Sequence, residues 1–322
     1  MATVKALCIS ENKGEQKTPI ESAIFRVDHG IESDAHAADW HRQVSLLAES
    51  DIETIREKGL DDLADGAFAE NVILSGLDLN SCGLGTKLRL GDDVVLSISQ
   101  IGKTCHTRCR IFYLAGDCIM PRLGIFARVL SGGTVRPGDT AEAFDIVPRK
   151  NLQAVVLTIS DRCSCGQAED TAGPATAKIL IESLGANIYR TEILPDEKDV
   201  IAERLKHYSE GHSIDLVLAV GGTGFSPRDV TPEAAREVID RLTPGLDEAM
   251  RTASAAKTPH AMLSRAVSGI AGSTLIITLP GSERAATENL QAVLPALGHG
   301  LEKLRGDKSD CGRPETGEQT DG

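Results

Sequence analysis

The sequence predicts two domains of different class. The N-terminal half reads as mainly β, a barrel-type sheet with a few helices. The C-terminal half reads as α/β, with an open, mostly parallel sheet between helices. Three observations predict this. The chain has 322 residues, more than one hydrophobic core usually serves. Up to about residue 145, short apolar runs are broken by Gly and Asp at turn spacing. From about residue 153, apolar strands alternate with amphipathic helices.

In the first half, Met1 to Cys8 holds one lysine and a short apolar run, which is a first strand and not a secretory signal. Residues Leu88 to Ile98 read as strand, turn, strand about Gly91-Asp92-Asp93, and Val135-Arg136-Pro137-Gly138-Asp139 supplies another turn. Leu46, Leu47, Ile52 and Ile55 predict a helix from about Ser45 to Lys58.

In the second half, β-branching and length make Ala154 to Ser160 a buried strand, and a helix from about Ala175 to Leu184 follows. Next come a strand from about Ile188 to Leu194, a helix from Lys198 to Ser209 and a strand from Ile214 to Val220. A further helix opens at Pro232 with Thr231 as its N-cap, the favoured place for each. Thr274 to Leu279 is a strand, and Glu283 to about Leu297 a helix. The junction from Asp145 to Asn151 is short and polar with one proline. The domains are therefore expected at 1–146 and 153–305. Residues 306–322 contain no aliphatic side chain and are expected to be a disordered tail.

Composition limits the function. Hydrophobic residues at 41% and charged residues at 25% describe an ordinary globular protein, and aromatics at 3% leave the cores to Ala, Val, Ile and Leu. No stretch approaches a membrane span, and a cytoplasmic location is expected. The net charge of −13 and a pI near 5.1 disfavour nucleic acid and anionic lipid as partners. An anionic substrate must be held locally, by arginines, backbone N–H groups, helix N-termini or a divalent metal. Eight cysteines in a long chain without a signal point to reduced thiols with metal or redox chemistry, not to a disulfide framework.

Ligands of open α/β sheets bind beyond the carboxyl ends of the strands. Here those ends are Ser160-Asp161-Arg162, Leu194-Pro195-Asp196-Glu197, Gly221-Gly222-Thr223-Gly224 with Ser226-Pro227-Arg228-Asp229, and Pro280-Gly281-Ser282. The Gly221–Gly224 turn can offer N–H groups to an anion without a Cβ in the way. Gly281-Ser282 before a helix makes a second such site, aided by the helix dipole. Asp196 and Asp229 suit Mg²⁺, which takes one or two carboxylates plus substrate phosphates, and Arg228 and Arg265 suit a transferred phosphoryl group. Each has a plainer reading as turn, cap or surface ion pair. The glycine turn is neither a Walker A loop, lacking Gly-Lys-Ser/Thr, nor a dinucleotide fingerprint, because Pro227 holds the third glycine position.

Together with Thr231-Pro232-Glu233-Ala234 and Leu263-Ser264-Arg265, and in this order, these segments resemble the molybdopterin adenylyltransferases over about 154–300. The resemblance implies a homotrimer formed through this domain, with molybdopterin and Mg-ATP as substrates. It also implies attack of the pterin's terminal phosphate on the α-phosphate of ATP. Asp196 and Asp229 match the family's two catalytic aspartates. Thr223, Ser264, Arg265 and Ser282 fall in segments lining its pterin pocket. Ser160, Asp161, Arg162, Gly221, Gly222, Gly224, Arg228, Pro280 and Gly281 complete the expected binding set. Cys163 and Cys165 depart from the family pattern, either as inert small residues or as a metal or redox contact near the pocket.

The first half carries Cys105, His106 and Cys109, followed by Cys118. Lys103, Arg108 and Arg110 favour thiolate, which can carry persulfide sulfur or ligate a soft metal. A structural zinc on the four and plain packing cysteines are the alternatives; the missing Cys-x-x-Cys knuckle argues mildly against zinc. With Asp28 to His36, His41 to Leu47, Gly66 to Asn71, Met120-Pro121 and Gly124 to Val129, the run resembles a MOSC domain over about 4–144. Ser33 stands where that family often has glycine. The resemblance implies a β-barrel with one functional cysteine, binding sulfur or the molybdenum of the cofactor. Cys109 is the first choice and Cys105 the second, with Cys118 a further possible molybdenum or sulfur contact. His36, His41 and Arg42 are candidates for gripping the pterin's phosphate. The whole is expected to be a two-function protein of molybdenum-cofactor assembly that meets other assembly proteins. A non-catalytic molybdopterin carrier with a zinc or thiol site is the rival.

Overall fold

The computed structural model describes residues 1–57, 63–103, 119–210 and 213–306. The cysteine run from Cys105 to Cys118, and nearly all of the expected tail, lie outside the described residues.

The N-terminal strands are β1 (Thr3–Ile9), β2 (Thr18–Ile20), β3 (Ala23–Arg26), β4 (Gly30–Ile31), β5 (Val44–Ala48), β6 (Val72–Ser75), β7 (Lys87–Leu90), β8 (Val94–Ile101), β9 (Ile125–Ser131), β10 (Gly133–Val135) and β11 (Ala141–Phe144). They form an eight-stranded sheet ordered β11-β7-β8-β9-β5-β6-β1-β2 and a three-stranded sheet ordered β10-β3-β4. Strand alternation sets the core face: Val94, Leu96 and Ile98 of β8 are buried while Val95 and Ser97 are half-buried. The long sheet returns on itself, because Val4 N–H donates to Asp139 O and Ala141 N–H to Ala2 O beside a Thr3–Thr140 bridge.

The helix expected from Ser45 begins later. Residues 44–48 are strand, buried throughout and paired with β6 and β9, and α1 covers only Glu49–Arg56. Cross-strand pairing on both edges overrides the local helical spacing. A short α2 (Met120–Leu123) precedes β9.

The C-terminal half contains β12 (Gln153–Ile159), α3 (Asp161–Ser164), α4 (Ala172–Leu184), β13 (Asn187–Leu194), α5 (Lys198–Ser209), β14 (Leu216–Val220), α6 (Thr231–Val238), β15 (Arg241–Leu242), α7 (Pro244–Ala255), β16 (Ser268–Ala271), β17 (Thr274–Leu279) and α8 (Glu283–Leu304). The six-stranded sheet is ordered β13-β12-β14-β17-β16-β15. The first four of these strands run parallel, and β16 and β15 add antiparallel pairings, so the sheet is mixed. Arg241-Leu242, Ser268 to Ala271 and helix α7 are additions to the elements expected from the sequence. The two strands are short, and of the twelve residues of α7 only Asp247 and Met250 are buried.

Period-two alternation places helices on both faces. Ala154, Val156, Leu216 and Leu218 pack with residues of α4, α7 and α8, including Leu180, Met250 and Leu290. Val155, Leu157 and Val217 pack instead with Ile201, Leu205, Ala234 and Ala235 of α5 and α6. This second cluster is continuous with the core of the N-terminal sheet, which includes Leu84 and Leu88. Polar contacts reinforce the join. Ser213 Oγ accepts from Ile101 N–H (2.7 Å) and donates to Ile101 O (2.9 Å), and Tyr189 OH donates to Ser99 O (3.3 Å).

Thr231 is not the N-cap of α6. Val230 is the cap, and Thr231 opens the helix with no side-chain cap bond. The chain turns back so tightly that Thr231 N–H donates to Gly222 O, leaving its buried hydroxyl without a partner among the described residues. Among the described residues no helix is long and apolar enough to cross a membrane.

Candidate functional site

Four parallel strand ends open onto one edge of the C-terminal sheet, and the loops there are knitted together by their own polar groups. Ser160 caps α3, its hydroxyl accepting from Cys163 N–H (3.2 Å). Asp161 and Asp196 exchange hydrogen bonds: Asp161 N–H donates to Asp196 Oδ2 (2.8 Å) and Asp196 N–H to Asp161 Oδ1 (3.0 Å). Arg228 closes a fork on Asp161, donating from Nε (2.9 Å) and Nη2 (2.8 Å). Asp229 Oδ2 accepts from Ser226 N–H (2.8 Å).

The glycine turn lies between the two aspartates expected to be catalytic. Gly222 has φ +62°, the left-handed region, and a Cβ there would come within 2.9 Å of Asp196 Oδ1. A Cβ on Gly224 would come within 2.9 Å of Asp229 Oδ2. The two glycine turns also touch, since a Cβ on Gly281 would meet Gly221 Cα at 3.3 Å. Only residues without side chains allow this approach. Ser282 caps α8 by accepting from Ala285 N–H (3.4 Å), which aims a helix N-terminus at the same place.

A cavity of about 470 Å³ opens beside these turns. Thr223, Asp229, Ser264, Pro280, Gly281 and Ser282 line it, as does the rest of the glycine turn from Gly222 to Gly224. Ser160, Asp161, Arg162, Asp196 and Arg228 do not; Asp196 sits behind Gly222 and Arg162 is exposed. Arg265 braces the loop. It donates from Nε to Gly224 O (2.7 Å), from Nη2 to Asp229 O, and pairs with Glu233, while its N–H donates to Thr223 O. The sequence reading missed Arg251, Lys257, His260 and Asn289, which also line the cavity. Arg251, Lys257 and His260 depend on α7 and the turn after it, for which the Lys257-Thr258-Pro259 turn was the available signal, and Asn289 lies on α8.

Charge is unevenly shared. Burial pushes the Asp196 carboxyl above its usual range, and the like charges of Asp161 and Asp229 add to this against Arg228. The Arg228 fork holds Asp161 below its usual range. Asp196 Oδ1 and Asp229 Oδ1 accept no hydrogen bond among the described residues, so each carboxylate keeps one oxygen for a cation. No group of three or more His, Cys, Asp or Glu able to hold a metal occurs among the described residues. Two carboxylates with open oxygens fit Mg²⁺ completed by substrate phosphates rather than a metal held by protein alone.

In the N-terminal half, Lys17 and Asp34 form a buried ion pair. Lys17 Nζ also lies 3.4 Å from Ser10 Oγ and 3.3 Å from His36 Nδ1. Burial opposes ionisation of Asp34, but hydrogen bonds from His36 and Lys17 outweigh it and hold the carboxyl low. His41 Nε2 and Arg42 Nε both reach Gln100 Oε1 (2.9 and 2.8 Å), and Gln100 Nε2 donates to Gly102 O (2.8 Å). That places His41 and Arg42 beside the strand leading into the cysteine segment. Cys105, Cys109 and Cys118 themselves lie outside the described residues. Of the described cysteines, Cys8 and Cys82 are buried, and burial pushes both thiols up, Cys8 to about 12, so neither supplies a thiolate. Cys163 is half-buried and Cys165 exposed, both at α3.

The fold and site are those of a mixed α/β sheet whose strand ends gather carboxylates and two glycine turns at one edge, beside a cavity, which is where open α/β sheets bind ligands. Residues 155–299 match the family described as a probable molybdopterin binding domain, and residues 33–142 match the MOSC domain. The molybdopterin adenylyltransferase of Helicobacter pylori strain J99 is 40% identical over 152 residues, covering 47% of this chain and 86% of that protein. The molybdenum cofactor synthesis protein cinnamon of Drosophila melanogaster is 40% identical over 154 residues, 48% of this chain but only 26% of its own length. The molybdopterin biosynthesis enzyme MoaB of Thermus thermophilus, a solved structure, is 43% identical and covers 48% of this chain and 98% of its own, with a TM-score of 0.46. The chain belongs to the molybdopterin adenylyltransferase family through its C-terminal half, and it carries a MOSC domain in its N-terminal half.

Proposed function

We propose that the C-terminal half adenylylates molybdopterin. A terminal phosphate oxygen of the pterin attacks the α-phosphorus of ATP, the bond to the β-phosphate oxygen breaks, and pyrophosphate leaves. The observation that carries this reading is the pair Asp196 and Asp229. Each is pinned through one oxygen and open through the other, on either side of a glycine turn that edges the cavity. Phosphoryl-type transfer asks the protein mainly for positioning and charge neutralisation. Asp196 and Asp229 are the residues that would hold Mg²⁺, which when bound offsets negative charge on the nucleotide phosphates. The turn from Gly221 to Gly224 and the N-terminus of α8 receive phosphate, Ser264 and Thr223 face the pterin, and Arg265 keeps the turn and Asp229 in register. Relatives at 39–40% identity named molybdopterin adenylyltransferase support this reading.

The N-terminal half, in the same proposal, binds or sulfurates the cofactor through a cysteine of the 105–118 run. Cys109 comes first, and His41 and Arg42, held on Gln100 of β8, are the candidates for gripping the pterin's phosphate. The active unit is a homotrimer assembled through the C-terminal half.

Incubation with molybdopterin and Mg-ATP tests the main claim. Pyrophosphate release that depends on the pterin is the expected result. Tight pterin binding without release makes the protein a carrier instead.

A further inference from the structure

Arg228 stands four residues beyond the glycine turn, yet its guanidinium does not line the cavity. Both arms that form the fork are spent on Asp161, a carboxylate that also accepts the Asp196 N–H. The two side chains are 56% and 44% exposed, so solvent screens the pair and it is held weakly. The fork geometry that fits Asp161 fits a phosphate oxygen pair equally well, and a polyphosphate offers more charge than one carboxylate.

We propose that Asp161 is a positioning residue that parks Arg228 in the free protein and releases it to the polyphosphate of the incoming nucleotide. This rests on the adenylylation reading, and it assigns Asp161 to the protein's own electrostatics in place of direct contact with pterin or nucleotide. The exchange swaps one weak exposed pair for an arginine–phosphate pair. It leaves Asp161 bonded to Asp196 through the two backbone N–H groups, so the aspartate stays in place while the arginine moves. The two-bond fork of Arg228 on Asp161 is the resting ion pair.

A static salt bridge and an exchanging one predict opposite outcomes for Asp161→Asn. The amide keeps an oxygen to accept the Asp196 N–H but loses the charge that competes for Arg228. With Mg-ATP as the probe, without molybdopterin and read by equilibrium titration, D161N is expected to bind about two- to five-fold more tightly than the parent. Arg228→Met is expected to weaken binding, and adding D161N to it should restore little. This cycle separates release of Arg228 from mere removal of a nearby negative charge. Unchanged or weaker binding by D161N, or an equal gain in both backgrounds, overturns the inference while leaving adenylylation standing. A parent protein that does not bind Mg-ATP overturns both. In the parent, salt weakens the competing Arg228–Asp161 pair along with the attraction for nucleotide, and the two effects partly cancel. The KM for ATP should therefore rise with ionic strength more steeply in D161N than in the parent, a readout that a purely structural role for Asp161 would not move.

Discussion

His41 of the N-terminal half and His207 of α5 meet edge to face, with ring centroids 4.6 Å apart and planes at 88°. Trp40 flanks one side at 5.6 Å and Tyr208 the other at 4.9 Å, so the contact is an aromatic seam between the two halves. Burial disfavours the charged form of both rings. It takes His41 down to about 4, with the neighbouring His207 and Arg42 adding to it, and lowers His207 as well, with Arg204 adding and Glu192 opposing. A histidine whose folded value lies below its ordinary value near 6.5 contributes stability that is complete above that value. The contribution is lost as pH falls toward the folded value. The melting temperature is therefore expected to drop between about pH 6.5 and pH 4. His41 alone accounts for up to about 3 kcal/mol, at roughly 1.4 kcal/mol per pH unit. In His41→Gln the dependence should flatten; an unchanged pH profile would remove His41 from the seam's energetics.

Asp229→Asn keeps an oxygen for the Ser226 N–H, so the loop should hold its shape. The charge facing the phosphates is lost. Turnover is expected to fall about 100-fold or more, the scale of losing one preorganised electrostatic group, with pterin affinity little changed. Steady-state pyrophosphate release beside pterin titration measures both. Retained turnover takes Asp229 out of the mechanism.

Gly222→Ala combines two penalties. The residue has φ +62°, and the new methyl would collide with Thr231 Oγ1 and approach Asp196 Oδ1 at 2.9 Å. A loss of about 2 kcal/mol or more is expected by urea unfolding, with activity reduced through displacement of Asp196. Gly245→Ala is the control. A Cβ there meets nothing within 4 Å, its φ is not in the left-handed region, and it lies in the first turn of α7. It should be neutral or slightly stabilising.

Ser213→Ala removes both hydrogen bonds to Ile101 and strands a buried N–H at the end of β8. The expected cost is about 1–3 kcal/mol. Because the two residues are 112 positions apart and belong to different halves, the loss should appear as earlier unfolding of one half relative to the other. Tryptophan fluorescence from Trp40 of the N-terminal half, against far-ultraviolet circular dichroism of the whole chain, would report it. Coincident, unshifted transitions would show that the serine does not tie the halves.

Much of the C-terminal half was legible because its signals are local. Lys198 to Ser209 and Thr274 to Leu279 carry their period within a dozen residues, and both elements form as the sequence indicates. The edge strand β15, of two residues, offers no period to read. Ser45 to Ala48 read as helix because their apolar spacing suits either structure, and only partners on both sides decide for strand. Thr231 looked like a cap by its neighbours, but a backbone bond to Gly222 moved the helix start by one residue.

What the sequence by itself determined is the division into a β-rich half and an α/β half, the residue types at the strand ends and the family to which they belong. These follow from periodicity, turn chemistry and ordered motifs, all short-range in the chain. Only the tertiary structure decided which of those residues meet. Arg228 reaches back 67 positions to Asp161, Arg265 is turned onto the glycine loop and Asp229, and His41 is set against His207. The physical reason is that pairing across a fold is chosen by the burial and hydrogen-bond satisfaction of the whole, which no local window contains.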